Sequence, residues 1–178
     1  VAFGPENLGM EPVEIDRRID QVLDAVGLTG KRLSAPNSLS GGQKQKAAIS
    51  GILAMEPACI IADESTAMLD PSGRRDVLDT VRMLNRQKGI TVIWITHFME
   101  EAVTADRVVV ISDGEVALEG KPEEVFTQVQ RMRELRLDVP HMTALADDLR
   151  SAGMPLREDI LTVDQMVEEV CRVICPSK

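Results

Sequence analysis

The stretch Ala58-Cys59-Ile60-Ile61-Ala62-Asp63-Glu64 decides the fold. A short apolar run without alternation reads as a strand covered on both faces, as in a parallel sheet. Two acids close the run. In open α/β sheets, ligands bind just beyond the C-terminal ends of the strands, which is where these carboxylates fall. One carboxylate can hold a magnesium ion, and its neighbour can orient or deprotonate a water. Taken alone, the pair is equally a solvated strand end.

The downstream sequence supports the first reading. Ala67-Met68-Leu69-Asp70 makes a short turn, and Pro71 opens a helix predicted to reach Arg86. Asp70 followed by proline has the form of an N-cap and N1 pair. Thr91–Ile95 reads as a second buried strand, and His97 follows it, placed either for a phosphate contact or as a capping or surface residue. A short helix is predicted over Phe98–Ala105. Strands follow at Arg107–Ser112 and Val116–Glu119, joined by the hairpin dipeptide Asp113-Gly114. Strand-helix-strand-helix order implies a parallel α/β sheet.

Upstream, Leu39-Ser40-Gly41-Gly42-Gln43 leads into a helix predicted over Gln43–Met55. Two glycines allow close approach of backbone to ligand, and the helix start offers positive charge. Ser40 adds a hydroxyl donor, so the turn suits a phosphate, although a lone Ser-Gly-Gly is also an ordinary helix entry. Further upstream, Ile15, Ile19, Val22, Leu23 and Val26 mark a helix over Glu11–Val26, stopped at Gly27. Residues 1–10, rich in Gly, Pro and Asn, read as a loop. After Pro122 only helical segments remain, near 122–136, 141–152 and 163–174, and a domain boundary is placed near residue 128.

Composition narrows the functional classes. The 178 residues are 44% hydrophobic and 28% charged, with a net charge of −9. The aromatics are Phe3, Trp94, Phe98 and Phe126, too few for a base-stacking platform. The acidic balance also opposes a phosphate-backbone interface, so no nucleic-acid partner is expected. Three cysteines, Cys59, Cys171 and Cys175, suggest a reducing compartment. Cys59 is expected to be a buried apolar residue on its strand, and Cys171 and Cys175 to pack on the last helix rather than bind metal. His141 reads as a helix cap or surface residue. No apolar run is long enough to span a membrane, and no signal peptide is visible.

In this order and spacing, the four elements resemble an ATP-binding cassette (ABC) ATPase over residues 1 to about 128. Leu39–Gln43 looks like the ABC signature, Cys59–Glu64 like Walker B with the catalytic glutamate, Ala67–Asp70 like the D-loop and His97 like the switch histidine. Ser65 departs from the proline often found there. The implied fold is α/β: part of a P-loop NTPase-like ABC nucleotide-binding domain with a small C-terminal helical appendage. A helical subdomain would occupy about residues 5–40, signature to switch histidine 39–97, and a dimerisation appendage 129–178.

The resemblance implies roles for the residues and names cofactors and partners. Asp63 would help hold Mg2+ through water, Glu64 would polarise the attacking water, and His97 would contact the γ-phosphate. Ser40, Gly41, Gly42 and Gln43 would contact ATP bound to an opposite subunit, and Asp70 would bridge the halves. Val1–Gly9, Ser40–Lys46, Asp63–Pro71 and the stretches Leu135–Pro140 and Leu149–Gly153 are similar to energy-coupling factor (ECF) transporter ATPases. The implied partners are a second ABC ATPase, in a homo- or heterodimer, an integral membrane component and a substrate-binding membrane component. The implied location is the cytoplasmic face of the membrane, and the implied function is energising uptake of vitamins or transition-metal ions. The rivals are a soluble ABC ATPase of DNA repair or translation, and a non-enzymatic cassette remnant.

A P-loop requires glycine, four residues, then Gly-Lys and a hydroxyl residue. Gly27-Leu28-Thr29-Gly30-Lys31-Arg32 comes nearest, but its glycines are too close and Arg32 replaces the hydroxyl. It is predicted to be a helix C-cap. The phosphate-gripping loop is therefore expected upstream of Val1, and the 178-residue chain alone is expected not to hydrolyse ATP.

Overall fold

A computed structural model describes residues 1–174. The chain forms two compact units, Val1–Ile95 and Thr96 onward. The boundary near residue 128 drawn from the sequence falls inside the second unit.

The first unit begins with α1 (Phe3–Asn7), where a loop was expected. Pro5 lies in the first turn, where proline costs no hydrogen bond, and Gly9 in the left-handed region (φ 68°) closes the helix. The helix α2 (Pro12–Ala25) turns Ile15, Val22 and Leu23 inward. Gly27, at φ 71°, lets Leu28 N–H donate to Leu23 C=O at 2.7 Å, so the Gly27–Arg32 stretch is a helix C-cap as expected. After short 3-10 turns at Thr29–Lys31 and Pro36–Ser38, the chain enters α3 (Gly41–Leu53), β1 (Cys59–Asp63), α4 (Pro71–Lys88) and β2 (Thr91–Ile95).

β1 and β2 pair in parallel, from Cys59 opposite Thr91 to Asp63 opposite Ile95. Ile60 joins Val22, Leu23, Ile49, Leu53, Val77, Val81 and Leu84 in one core. Only one face of this sheet is covered. Ile61 is 65% exposed, and Cys59 lies on the same open face, so the expectation of a buried Cys59 is not met. The cause is the period of two along the strand: odd positions face away from α3 and α4. α4 ends as its sequence dictates, with Arg86 and Lys88 in the last turn and Gly89 left-handed at φ 65°.

The second unit opens with α5 (Met99–Ala102), shorter than expected. The antiparallel hairpin β3 (Val108–Ser112) and β4 (Glu115–Gly120) follows. Its turn uses Asp113 at φ 52° and Gly114 at φ 83°, the pair of positive φ angles that an Asp-Gly hairpin needs. The predicted helix over 122–136 is two helices, α6 (Pro122–Phe126) and α7 (Val129–Glu134). The Thr127 hydroxyl donates to the Glu123 carbonyl at 2.8 Å, the local competition that favours breaks in helices. α8 (His141–Ser151) and α9 (Val163–Ile174) complete the unit. Val108, Val110, Val125, Phe126, Met132 and Leu161 share one core, and Ala146, Leu156, Ile160 and Met166 a second. Cys171 is exposed, not packed; Cys175 lies outside the described residues. His141 is at the surface and at a helix start, its Nδ1 2.9 Å from Glu100 Oε1.

Candidate functional site

Two exposed corners of the first unit carry most of the candidate residues. The first is the start of α3. Ser40 is its N-cap: Gln43 N–H donates to Ser40 Oγ at 3.3 Å, and Ser40 N–H donates to Gln43 Oε1 at 3.1 Å. This reciprocal capping box satisfies two backbone donors but leaves the Ser40 hydroxyl hydrogen and the Gln43 amide donors for a ligand. Gly41 and Gly42 occupy N1 and N2, whose N–H groups have no partner within the helix. With no acid in this first turn, the positive end of the helix is uncompensated.

The second corner is the end of β1. Asp63 is the last strand residue and is exposed. Glu64 is also exposed and has φ 44°, left-handed for a non-glycine residue. Its N–H still donates to Ile95 C=O at 2.9 Å, so the chain leaves the sheet only after that bond. Strained backbone of this kind costs about 1–3 kcal/mol and clusters where a side chain must be aimed. The turn closes with Ala67 N–H on Glu64 C=O and Leu69 N–H on Thr66 C=O, both 3.0 Å, around a Thr66 that is 1% exposed. Asp70 then caps α4, its Oδ1 accepting from Gly73 N–H at 3.1 Å. A Cβ built on Gly41 would meet Leu69 Cδ2 at 3.0 Å, and one on Gly42 would lie 3.5 Å from Gly73 Cα. The structure thus brings the α3 start and the Leu69–Gly73 turn side by side.

His97 is two residues beyond β2 and belongs to the second unit. It is exposed, with its ring centroid 4.2 Å from that of Phe98. Among the described residues, no three His, Cys, Asp or Glu side chains converge on a metal position. Asp63 places a hard oxygen donor at the end of β1. A cavity of about 400 Å3 in the first unit lies elsewhere, lined by Ile19, Leu23, Leu28, Leu33 and Leu39.

The sequence reading missed one polar contact beside these corners. Lys46 on α3 is buried, and its Nζ lies 2.7 Å from Asp76 Oδ2 on α4. The signal was available: Lys46 shares a helical face with Gly42, Ile49 and Leu53, so its charge had to enter the interface.

A parallel strand ended by two acids, a glycine-started helix and a capped second helix define a part of a nucleotide-binding domain. Residues 4–67 match the ABC transporter family. The chain is 56% identical over 172 residues to the energy-coupling factor transporter ATP-binding protein EcfA1 of Caldanaerobacter subterraneus, aligning 97% of its own length. It spans 62% of that relative. Its fold is similar to cbiO1 from Clostridium perfringens, part of the ABC transporter complex cbiONQ, with a TM-score of 0.68, 33% identity, and coverage of 84% of this chain and 59% of that one. It is also similar to the bacterial ABC transporter cassette MJ0796, solved as a dimer, with a TM-score of 0.53, 34% identity, and coverage of 63% and 49%.

Proposed function

We propose that the protein containing this chain is the ATP-hydrolysing subunit of an ECF-type ABC transporter that takes up vitamins or transition-metal ions. The observation that carries this reading is the left-handed Glu64 at the C-terminal end of β1, set beside Asp63. A carboxylate held there can orient a water and accept its proton. Mg2+, when bound, neutralises phosphate charge; Asp63 would help hold it through water. His97 would hydrogen-bond the terminal phosphate.

The start of α3 serves a different nucleotide. Ser40, Gly41, Gly42 and Gln43 would donate to the phosphates of ATP bound to a second ABC subunit, and Asp70 would face that subunit near its attacking water. The dimeric form of the cassette MJ0796 supports such pairing. Residues 129–178 would form the helical appendage that aids dimerisation. Among the described residues no helix is long and apolar enough to cross a membrane, so attachment at the cytoplasmic face would come from an integral membrane component. A further membrane component would bind the substrate.

The test is purification of the intact protein from membranes in detergent. The expected result is co-purification with an integral membrane subunit and a second ABC ATPase, with magnesium-dependent ATP turnover. Recovery with ribosomes or DNA instead would overturn the transport reading.

A further inference from the structure

We propose that Lys46 and Asp76 are a positioning pair that locks the start of α3 to the start of α4, so that Ser40–Gln43 and Asp70 are presented as one rigid surface. The inference rests on the ATPase reading for its consequence, but not for its geometry.

The two helices run side by side in the same direction. Gly42 lies against Gly73, and four residues along α3 the Lys46 ammonium meets the Asp76 carboxylate at 2.7 Å. Beyond that, Ile49, Leu53, Val77, Val81 and Leu84 fill one apolar core. The glycines set the closeness. A Cβ on Gly73 would fall 2.7 Å from Asp70 Oδ1, so a side chain there would displace the very carboxylate that caps α4. Apolar packing alone fixes distance better than register, because one aliphatic contact can be exchanged for another.

The ion pair supplies the register. The Lys46 side chain is only 11% exposed, whereas Asp76 is 62% exposed. A buried ammonium without its partner is strongly unfavourable, while the well-solvated aspartate costs little to recruit. Sliding either helix by a turn, about 5.4 Å, would separate the two charges. The neighbouring hydroxyls cannot substitute. Ser50 Oγ donates to Lys46 C=O at 2.8 Å and Thr80 Oγ1 to Asp76 C=O at 2.7 Å, each within its own helix. Lys46 touches no reacting group in this scheme; it acts through the cap residues one to two turns away.

The experiment uses the intact protein and three variants, Lys46→Met, Lys46→Arg and the charge swap Lys46→Glu with Asp76→Lys. Methionine keeps length and burial without the charge, so the fold is retained. The expected result for Lys46→Met is an unchanged or raised melting temperature, a fall in kcat of about tenfold or more, and a KM for ATP within about twofold of the parent. Amide exchange quickens at Gln43, Lys44, Gly73 and Arg74 together. Lys46→Arg and the charge swap recover both turnover and protection. Parental kcat and exchange in Lys46→Met would overturn the proposal, as would a folded charge swap that recovers neither. If the unsubstituted protein shows no turnover, the ATPase reading fails, and the exchange result alone decides the pair.

Discussion

Two helices of this chain begin with the same device. α3 opens on Ser40 with Gln43 three residues on, and α9 follows Thr162 with Gln165 three residues on. In both, the hydroxyl accepts from the glutamine N–H and the glutamine oxygen accepts from the cap N–H. The residues between differ. α3 places Gly41 and Gly42 there, with no acid in the turn, whereas α9 places Val163 and Asp164. Asp164 compensates the positive end of α9 with a charge of its own. The α9 start is therefore finished as architecture, while the α3 start is left open to an anion. A capping box marks a helix; the glycines and the missing acid distinguish the corner proposed to meet a phosphate. Two glutamates differ in exposure. Glu64 is exposed at the end of a strand, whereas Glu169 is 4% exposed, bonded to Arg172 and accepting from Arg157 N–H at 2.7 Å.

The largest expected effect tests the outward glutamate. Glu64→Gln keeps the size and backbone conformation but removes the proposed base, so ATP turnover of the intact protein should fall about 10³-fold, roughly 4 kcal/mol in barrier. Its melting temperature should stay within a degree or two, about 0.5 kcal/mol. Turnover near the parental rate would place the chemistry elsewhere.

Much of this division was legible in the sequence, for reasons that show where legibility ends. The bounds of β2 (Thr91–Ile95), the Asp113-Gly114 turn and the N-cap Asp70 were read correctly because each depends on a few adjacent residues; the expected burial of β2 was not met, since Thr91, Ile93 and Ile95 are exposed. The signature turn was read as a motif, but its capping box was not, although Ser40 and Gln43 have the required spacing. The left-handed φ of Glu64 could not be read at all, since no local preference of glutamate produces it; the surrounding turn imposes it. The Lys46–Asp76 contact depends on helix packing across 30 positions of sequence, the difference between 46 and 76, and periodicity shows only that Lys46 faces inward. The open face of the parallel sheet reversed the expectation for Cys59, because an apolar run cannot say how many faces are covered.

The inward-facing side of the comparison is tested by Thr143→Val. Thr143 is fully buried and its hydroxyl donates to Ile160 C=O at 2.7 Å. Valine has the same shape without the donor, so the carbonyl loses its partner. The expected loss is about 1–3 kcal/mol in denaturant unfolding, with ATP turnover per folded molecule unchanged. A stability-neutral variant would show that water replaces the hydroxyl.

Ser40→Asp separates capping from ligand binding at α3. Aspartate caps as well as serine, so stability should be retained within about 0.5 kcal/mol. It also converts the α3 start into something like the acid-compensated α9 start. Turnover should fall about tenfold, as a carboxylate now repels the phosphates this corner is proposed to meet. Full turnover would reduce the difference between the two helix starts to packing.

The smallest effect concerns pH. Hydrogen bonds from Arg172, and then from Arg157 N–H, hold the Glu169 pKa at about 2, against 4.5 for an unperturbed glutamate. A pKa lowered by folding stabilises the folded state above 4.5, and that contribution is lost as pH falls from 4.5 through 2. Glu14, bonded to Arg17 and Arg18, is also lowered to about 2. Glu14 is about a third exposed, whereas Glu169 is buried, so salt should screen the Glu14 pair more strongly. Glu169→Gln should therefore flatten the acid limb of stability below pH 4.5 equally in low and high salt, whereas Glu14→Gln should flatten it chiefly in low salt. Thermal melts at stepped pH in 0.01 M and 1 M salt, where the screening length changes from about 30 to 3 Å, measure both. Equal salt dependence for the two variants would mean that Glu169 is as accessible to solvent as Glu14, and the inward-facing character of the second unit's charges would have to be given up.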